Sequence, residues 1–342
     1  MPAHRVFRSG DLKSSLQACD DLGSGTYGRV IKVYNTRYGC AAAKVFSVTG
    51  TVERQRGTTH SIVESEANIM ALASHENVVR FYGICCWSHY YALIMEYETG
   101  GSLHDLLKND QVSLLPWKLR LRFVYETVKA IVFLHNSGLD ERIVHGDLKS
   151  SNILLSESLH VRVGDFGAAT LATKTCDQTS PRHDSKSRQH TVVFSAPEFL
   201  SDVFGVRHPD MDIYSLGRVT YELLTRETPF YDATFQDITN EIVHGAVPSD
   251  TKINQIRAEM VANADEDLVI LDFFRQLMAS CCTISRSRRP GILIVQQNIR
   301  NLIETVSSTV MAKAVLVVVN QMNTQRNESE PEVRKPLTDL VI

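Results

Sequence analysis

Up to Gly100-Gly101 the chain reads as short apolar runs of strand length, and beyond it as apolar spacings of three and four residues. That change of period constrains the fold before any single residue is considered: it predicts an α+β chain, β-rich first and α-rich after. Val30–Tyr34, Ala41–Phe46 and Tyr91–Met95 are the clearest strand candidates, separated by glycines and polar turns. One helix interrupts them over Ser61–Ala73, where Ile62, Glu66, Ile69 and Ala73 fall on one helical stripe. Leu119–His135, Asp212–Leu224 and Leu268–Ser280 read as amphipathic helices. The expected organisation is a tail over 1–15, a small β-rich lobe over 16–98, a larger helical lobe over 99–305 and a tail over 306–342. Thr170–His190 reads as a long polar loop and Asn323–Lys335 as a disordered stretch, whereas Ala314–Val319 is aliphatic enough to pack on its own domain as a helix or strand.

Composition narrows the partners. A length of 342 residues is ample for a buried core, and a net charge of −3 leaves no basic face for nucleic acid or anionic membrane. The seven cysteines are odd in number and show no Cys-x-x-Cys spacing, so Cys85, Cys86, Cys281 and Cys282 read as small core residues with reduced thiols. Met1–Ser15 lacks the apolar run of a signal peptide, and no aliphatic run approaches the ~20 residues of a membrane span. The expectation is a soluble chain in the cytoplasm.

The run Ile143-Val144-His145-Gly146-Asp147-Leu148-Lys149-Ser150-Ser151-Asn152-Ile153-Leu154-Leu155 is followed by Gly164-Asp165-Phe166-Gly167, with Asp165 thirteen residues after Asn152. Singly, each Asp is ordinary turn chemistry. Together they comprise a carboxylate able to accept a hydroxyl proton, a lysine two residues on, and an amide and second carboxylate able to hold Mg²⁺, the parts of a phosphoryl-transfer centre.

Upstream, Leu22-Gly23-Ser24-Gly25-Thr26-Tyr27-Gly28-Arg29-Val30 carries a Gly-x-Gly-x-x-Gly pattern. Alone it fits a phosphate-covering hairpin, a dinucleotide-binding turn or an ordinary glycine turn, although a strand rather than a helix follows it here. Lys44 ends an apolar strand. Glu66 lies on the apolar stripe of its helix and needs a cation if buried, and Lys44 is the candidate; Glu64 shares its face with His60 and Asn68 and reads as solvated.

In this order, these motifs resemble those of the protein kinases, together with Ser195-Ala196-Pro197-Glu198, Asp212 in Met211-Asp212-Ile213-Tyr214-Ser215-Leu216-Gly217, and Arg289-Pro290. The resemblance implies the bilobal kinase fold, with one helix in the small lobe and an activation segment over 165–198. It implies that ATP and Mg²⁺ are bound by Leu22, Gly23, Ser24, Gly25, Thr26, Tyr27, Gly28, Val30, Ala42, Lys44, Glu66, Met95, Glu96 and Tyr97, with Asn152 and Asp165 on the metal. It makes Asp147 the base and Lys149 a stabiliser of the transferring group, with Asp212, Glu198 and Arg289 structural. Lys149, with Thr191 ahead of Ala196, resembles serine/threonine kinases, and Thr170–His190 contains no tyrosine. The catalytic run, Met95-Glu96-Tyr97 and Gly100-Gly101-Ser102-Leu103 are similar to the tyrosine-kinase-like branch, nearest to MAP kinase kinase kinases of the TGF-β-activated and mixed-lineage type. That implies a protein substrate, a MAP kinase kinase, and regulatory protein partners.

One position departs from the family: Gly146 stands where an arginine usually grips an activation-loop phosphate, so switching is expected to rely less on that contact. A kinase-shaped scaffold without turnover is the alternative that Gly146 and Ala41-Ala42-Ala43 keep open.

Overall fold

A computed structural model describes residues 5–8, 11–15, 21–25, 28–35, 37–47, 53–87, 90–136, 141–173, 192–201, 207–230, 234–246, 248–323 and 334–336. Thr26, Tyr27, Thr191, most of the polar loop and 324–333 of the expected tail lie outside these residues. Contacts divide the chain into two units, Met1–Glu98 with Asn327–Ile342, and Thr99–Arg326.

The first unit is built on a sheet of order β1-β6-β7-β5-β4-β2-β12, with β3 paired to β4. Its strands are β1 Val6–Phe7, β2 Leu12–Ser15, β3 Asp21–Gly25, β4 Gly28–Asn35, β5 Gly39–Ser47, β6 Phe81–Trp87, β7 Tyr90–Glu96 and β12 Arg334–Pro336. In β4, Ile31, Val33 and Asn35 are buried and the intervening residues are not, the alternation of a half-covered strand. In β5, Ala41–Phe46 are buried without a break, which explains the run of three alanines: the strand is central and covered on both faces. Ile31, Val33, Ala41, Ala43, Val45, Ala92 and Ile94 pack into one core cluster with Phe7, Leu12 and Cys85. Helix α1, Glu53–Leu72, packs on β6 and β7 and begins upstream of the predicted Ser61.

The second unit centres on α3, Trp117–His135, and α5, Pro209–Thr225, the latter with almost every residue buried. The helix α8, Leu268–Cys281, packs on α5, and α9, Ile292–Ile303, packs on α3. Before α3 lies α2, Leu103–Lys108, opened by a capping box in which Ser102 Oγ accepts from the Asp105 amide and Asp105 Oδ2 accepts from the Ser102 amide. Between α5 and α8 come α6, Phe235–Val243, and α7, Thr251–Ala262, and α4, Pro197–Ser201, precedes α5. The aliphatic run falls in α10, Ser308–Asn323, which turns Ala314 and Val318 inward and packs on α3. Among the described residues no single helix is long and apolar enough to cross a membrane.

Three readings of the sequence are corrected. Thr170–Thr173 is not loop but strand β11, paired antiparallel with β8, Glu141–Val144, because backbone pairing outweighs polar composition. Arg334 and Lys335, placed in the disordered stretch, form β12 on the sheet edge beside β2. Cys86 is exposed, whereas Cys85, Cys281 and Cys282 are core residues; burial pushes the Cys85 thiol up to about 12, which keeps it protonated and inert.

Candidate active site

Strand register decides which residues of the first unit share a face. Val30 is paired with Lys44 across β4 and β5, Lys44 with Leu93 and Ala42 with Met95 across β5 and β7. Because alternate residues of a strand share a face, Val30, Ala42, Lys44 and Met95 lie together on one side of the sheet, opposite to the side taken by Ala41, Ala43 and Val45. Lys44 Nζ donates to Glu66 Oε1 of α1 at 2.7 Å, and the two residues are 5% and 4% exposed. A pair this far from water holds its geometry because each charge depends on the other. Glu64 is exposed beside His60, as its face requires.

The glycine hairpin is a β3–β4 turn, Gly25 pairing with Gly28. Two of its glycines have different reasons to be glycine. A Cβ on Gly28 would sit 2.2 Å from the Val45 carbonyl oxygen, so its lack of side chain serves packing onto β5. A Cβ on Gly23 would meet nothing within 4 Å, at a φ of +139°, leaving bare backbone that a ligand can approach. Leu22 is exposed, and Glu96 and Tyr97 are half-buried, with Lys32 Nζ 4.9 Å from the Tyr97 ring centre.

In the second unit two short ladders hold the catalytic run. β9, Ile153–Leu155, pairs with β10, Val161–Val163, so that Ile153 opposite Val163 brings Asn152 and Gly164 side by side; the Gly164 amide donates to the Asn152 carbonyl at 2.9 Å. Asn152 and Asp165 are therefore delivered by one ladder end. The β8–β11 ladder ends with Val144 opposite Thr170, tying the start of the run to the chain after Asp165-Phe166-Gly167.

Within the run, Asp147 Oδ2 accepts from Lys149 Nζ at 2.8 Å and from Asn152 Nδ2 at 3.2 Å, while Asn152 Nδ2 also donates to the Asp147 carbonyl at 2.8 Å. Asp147 Oδ1 is buried and has no hydrogen-bond partner among the described residues. One carboxylate oxygen is thus fixed and the other is left without a donor among the described residues. Asn152 commits its amide nitrogen to Asp147, which leaves its oxygen as the atom able to meet a cation. Asp165 has φ +61°, a left-handed conformation costly for a residue with a Cβ, and its carboxylate accepts from the Gly167 amide. Among the described residues no group of three His, Cys, Asp or Glu could hold a metal. Mg²⁺ at Asn152 and Asp165 fits this oxygen set, provided phosphate and water complete the coordination. A small cleft beside Asp147 is lined by Gly146, Leu148, Phe194, Ser195, Ala196, Met211 and Ser215. A larger cavity bounded by Leu107, Trp117, Arg120, Arg226 and Met260 includes none of the candidate site residues.

The loop is braced from α5. Asp212, 1% exposed, accepts from the His145 amide on Oδ2 and the Gly146 amide on Oδ1, both at 2.9 Å, and meets His135 Nε2 at 2.8 Å. Burial alone would raise its carboxyl, but His135, the nearby His145 and the Gly146 amide outweigh burial and hold it below the ordinary 3.8. His145 Nε2 lies 3.0 Å from the Gly164 carbonyl oxygen, and its ring packs on Phe166. Glu198 is paired bidentately with Arg289, Nη1 to Oε1 at 2.6 Å and Nη2 to Oε2 at 2.7 Å.

Sequence reasoning missed His135 and Glu222. His135 closes α3 with nothing local to mark it, since its partner lies in α5. Glu222 sits on α5 beneath the catalytic run; burial pushes its carboxyl up from 4.5 to about 7, offset only in part by the Ser150 hydroxyl, Lys108 and the Thr228 hydroxyl. A folded value above the unfolded one means that its contribution is complete below about 4.5 and is lost as pH rises through about 7. Glu222→Gln should therefore leave urea stability unchanged near pH 4.5 and raise it by roughly 3 kcal/mol above pH 7. Equal gains at both pH values would show that ionisation is not the cause.

Comparison with known proteins adds a family match and several relatives. The family model described as protein kinase domain matches residues 16–301. An Acanthamoeba polyphaga mimivirus protein whose name carries the words serine/threonine-protein kinase/receptor is 31% identical over 278 residues, 79% of this chain and 16% of its own length. A receptor-like serine/threonine-protein kinase of Arabidopsis thaliana is 36% identical over 64% of this chain and 58% of its own length. Receptor-interacting serine/threonine-protein kinase 4 of Mus musculus is 34% identical over 67% of this chain and 27% of its own length. The chain thus spans less than two thirds of each of these relatives.

Proposed function

This chain belongs to the protein kinase family, and from that premise we propose that it transfers the γ-phosphate of ATP, held with Mg²⁺, to serine or threonine hydroxyls of a protein substrate. The observation that carries the reading is Asp147: a carboxylate with one oxygen held by Lys149 and Asn152 and the other buried without a donor among the described residues, beside a small cleft. Such a group orients the acceptor hydroxyl and takes its proton. Bound Mg²⁺ would neutralise charge on the phosphates, with Asn152 and Asp165 as its protein ligands. Lys149, beside Asp147, supplies positive charge where negative charge develops. In the first unit the Lys44 ammonium, oriented by Glu66, supplies a phosphate contact, and Val30, Ala42 and Met95 provide an apolar face for the base. Serine/threonine selectivity is supported by Lys149 and by the names of the relatives.

A narrower role as a MAP kinase kinase kinase, in the cytoplasm and acting on a MAP kinase kinase, rests on the tyrosine-kinase-like cast of the catalytic run and on thiols that are unpaired among the described cysteines. Purified chain, incubated with labelled ATP, Mg²⁺ and a degenerate peptide library, should place phosphate on serine and threonine. Phosphate confined to tyrosine would overturn the acceptor assignment, and no transfer above the Asp147→Asn chain would favour a scaffold without turnover.

A further inference from the structure

Gly146 has φ +71° and donates its amide to Asp212, immediately before Asp147. A Cβ built on it would lie 3.0 Å from Arg207 Cδ, 3.2 Å from Arg207 Nε and 3.1 Å from the Ala168 carbonyl oxygen. Arg207 approaches from the residues just ahead of α5, and its guanidinium carbon lies 5.5 Å from the centre of the Phe199 ring on α4. Its aliphatic stem therefore occupies the space that a side chain at 146 would need. The same side chain lies against two separate pieces of the site, the peptide that presents Asp147 and the helix that closes the activation segment, while the Ala168 carbonyl of the turn after Asp165 faces the same space at Gly146. The Arg207 Nε is buried, so the contact is an inserted one and not a surface brush.

We propose that Arg207 is a positioning residue for phosphoryl transfer, admitted by the missing side chain at Gly146 and fixing the Gly146-Asp147 peptide against Phe199. The proposal rests on the kinase reading of Asp147. Glycine at 146 is then not only the loss of an arginine from the catalytic run but the condition for an arginine that arrives from elsewhere in the chain. It also changes what a direct replacement can test: Gly146→Arg would force a β-carbon into Arg207 and a left-handed φ on a long side chain, so it removes one cation's seat while adding another.

The test is a double-mutant cycle read in steady-state kinetics. Arg207→Ala should lower kcat by about 10- to 100-fold, with KM for ATP within about twofold. Arg207→Lys, which keeps the stem across Gly146, should recover most of the rate. Gly146→Ala should cost a similar factor, and the double variant should be no more than about threefold worse than either single one, because both changes act through one contact. Losses that multiply, or an Arg207→Ala kcat within about twofold of the parent, would overturn the proposal. Amide hydrogen exchange gives a readout that needs no turnover: the Gly146 and Asp147 amides should exchange faster in Arg207→Ala, and unchanged protection would count equally against it. Asp147→Asn runs alongside. If parent and Asp147→Asn are equally inactive, the function assignment fails, and the exchange arm still decides the role of Arg207.

Discussion

Asp147→Asn should lower kcat for phosphate transfer by about 10²–10⁴-fold while leaving KM for ATP and the thermal unfolding midpoint close to those of the parent. The substitution is nearly isosteric, and an amide oxygen can still accept from Lys149 and Asn152, which now hold Asp147 Oδ2. What it cannot do is take a proton at the position of Oδ1, the oxygen without a donor among the described residues. Labelled phosphate transferred from ATP to a serine-containing peptide measures the rate. A variant within about tenfold of the parent would mean that the hydroxyl proton goes elsewhere, and the mechanism would need another base.

Lys44→Met should destabilise the chain by about 3–5 kcal/mol, because it strands Glu66 without its cation at a position almost closed to water. Adding Glu66→Leu should recover most of that stability, since an apolar pair of similar volume costs no ionic desolvation. Activity should stay absent in both. The contrast separates the two duties of the lysine: stability returns with any compatible pair, whereas the phosphate contact needs the ammonium itself. Guanidinium unfolding of the three chains measures the first duty and phosphate transfer the second. A single variant as stable as the parent would show that the pair is better hydrated than its burial implies.

How far each of these sites could be read from the chain depends on how local its cause is. The strands β4, β5 and β7 and the helices α3, α5 and α8 lie where the apolar period places them, because alternation and the three-to-four spacing act within a single element. The Lys44–Glu66 contact spans 22 residues and was still legible, since a carboxylate on an apolar stripe demands a cation and Lys44 ends an apolar strand. The corrections have the opposite cause. Thr170–Thr173 and Arg334–Pro336 are too short to carry a period, and they are strands because a partner strand offers unpaired backbone. At Gly28 the missing Cβ makes room for the Val45 carbonyl, a contact made only when β4 lies on β5.

Sequence alone determined the β-then-α order, the chemistry of the catalytic run and the residue types available for a phosphate and a cation, because those follow from side-chain identity and short-range periodicity. Tertiary structure decided that Asp212 holds the amides of His145 and Gly146, that Glu222 is buried under Ser150, and that Arg207 fills the space a side chain at 146 would need. Each of those contacts joins residues more than fifty positions apart, where no local period reaches and only the packing of α5 and its approach against the catalytic run brings the groups together.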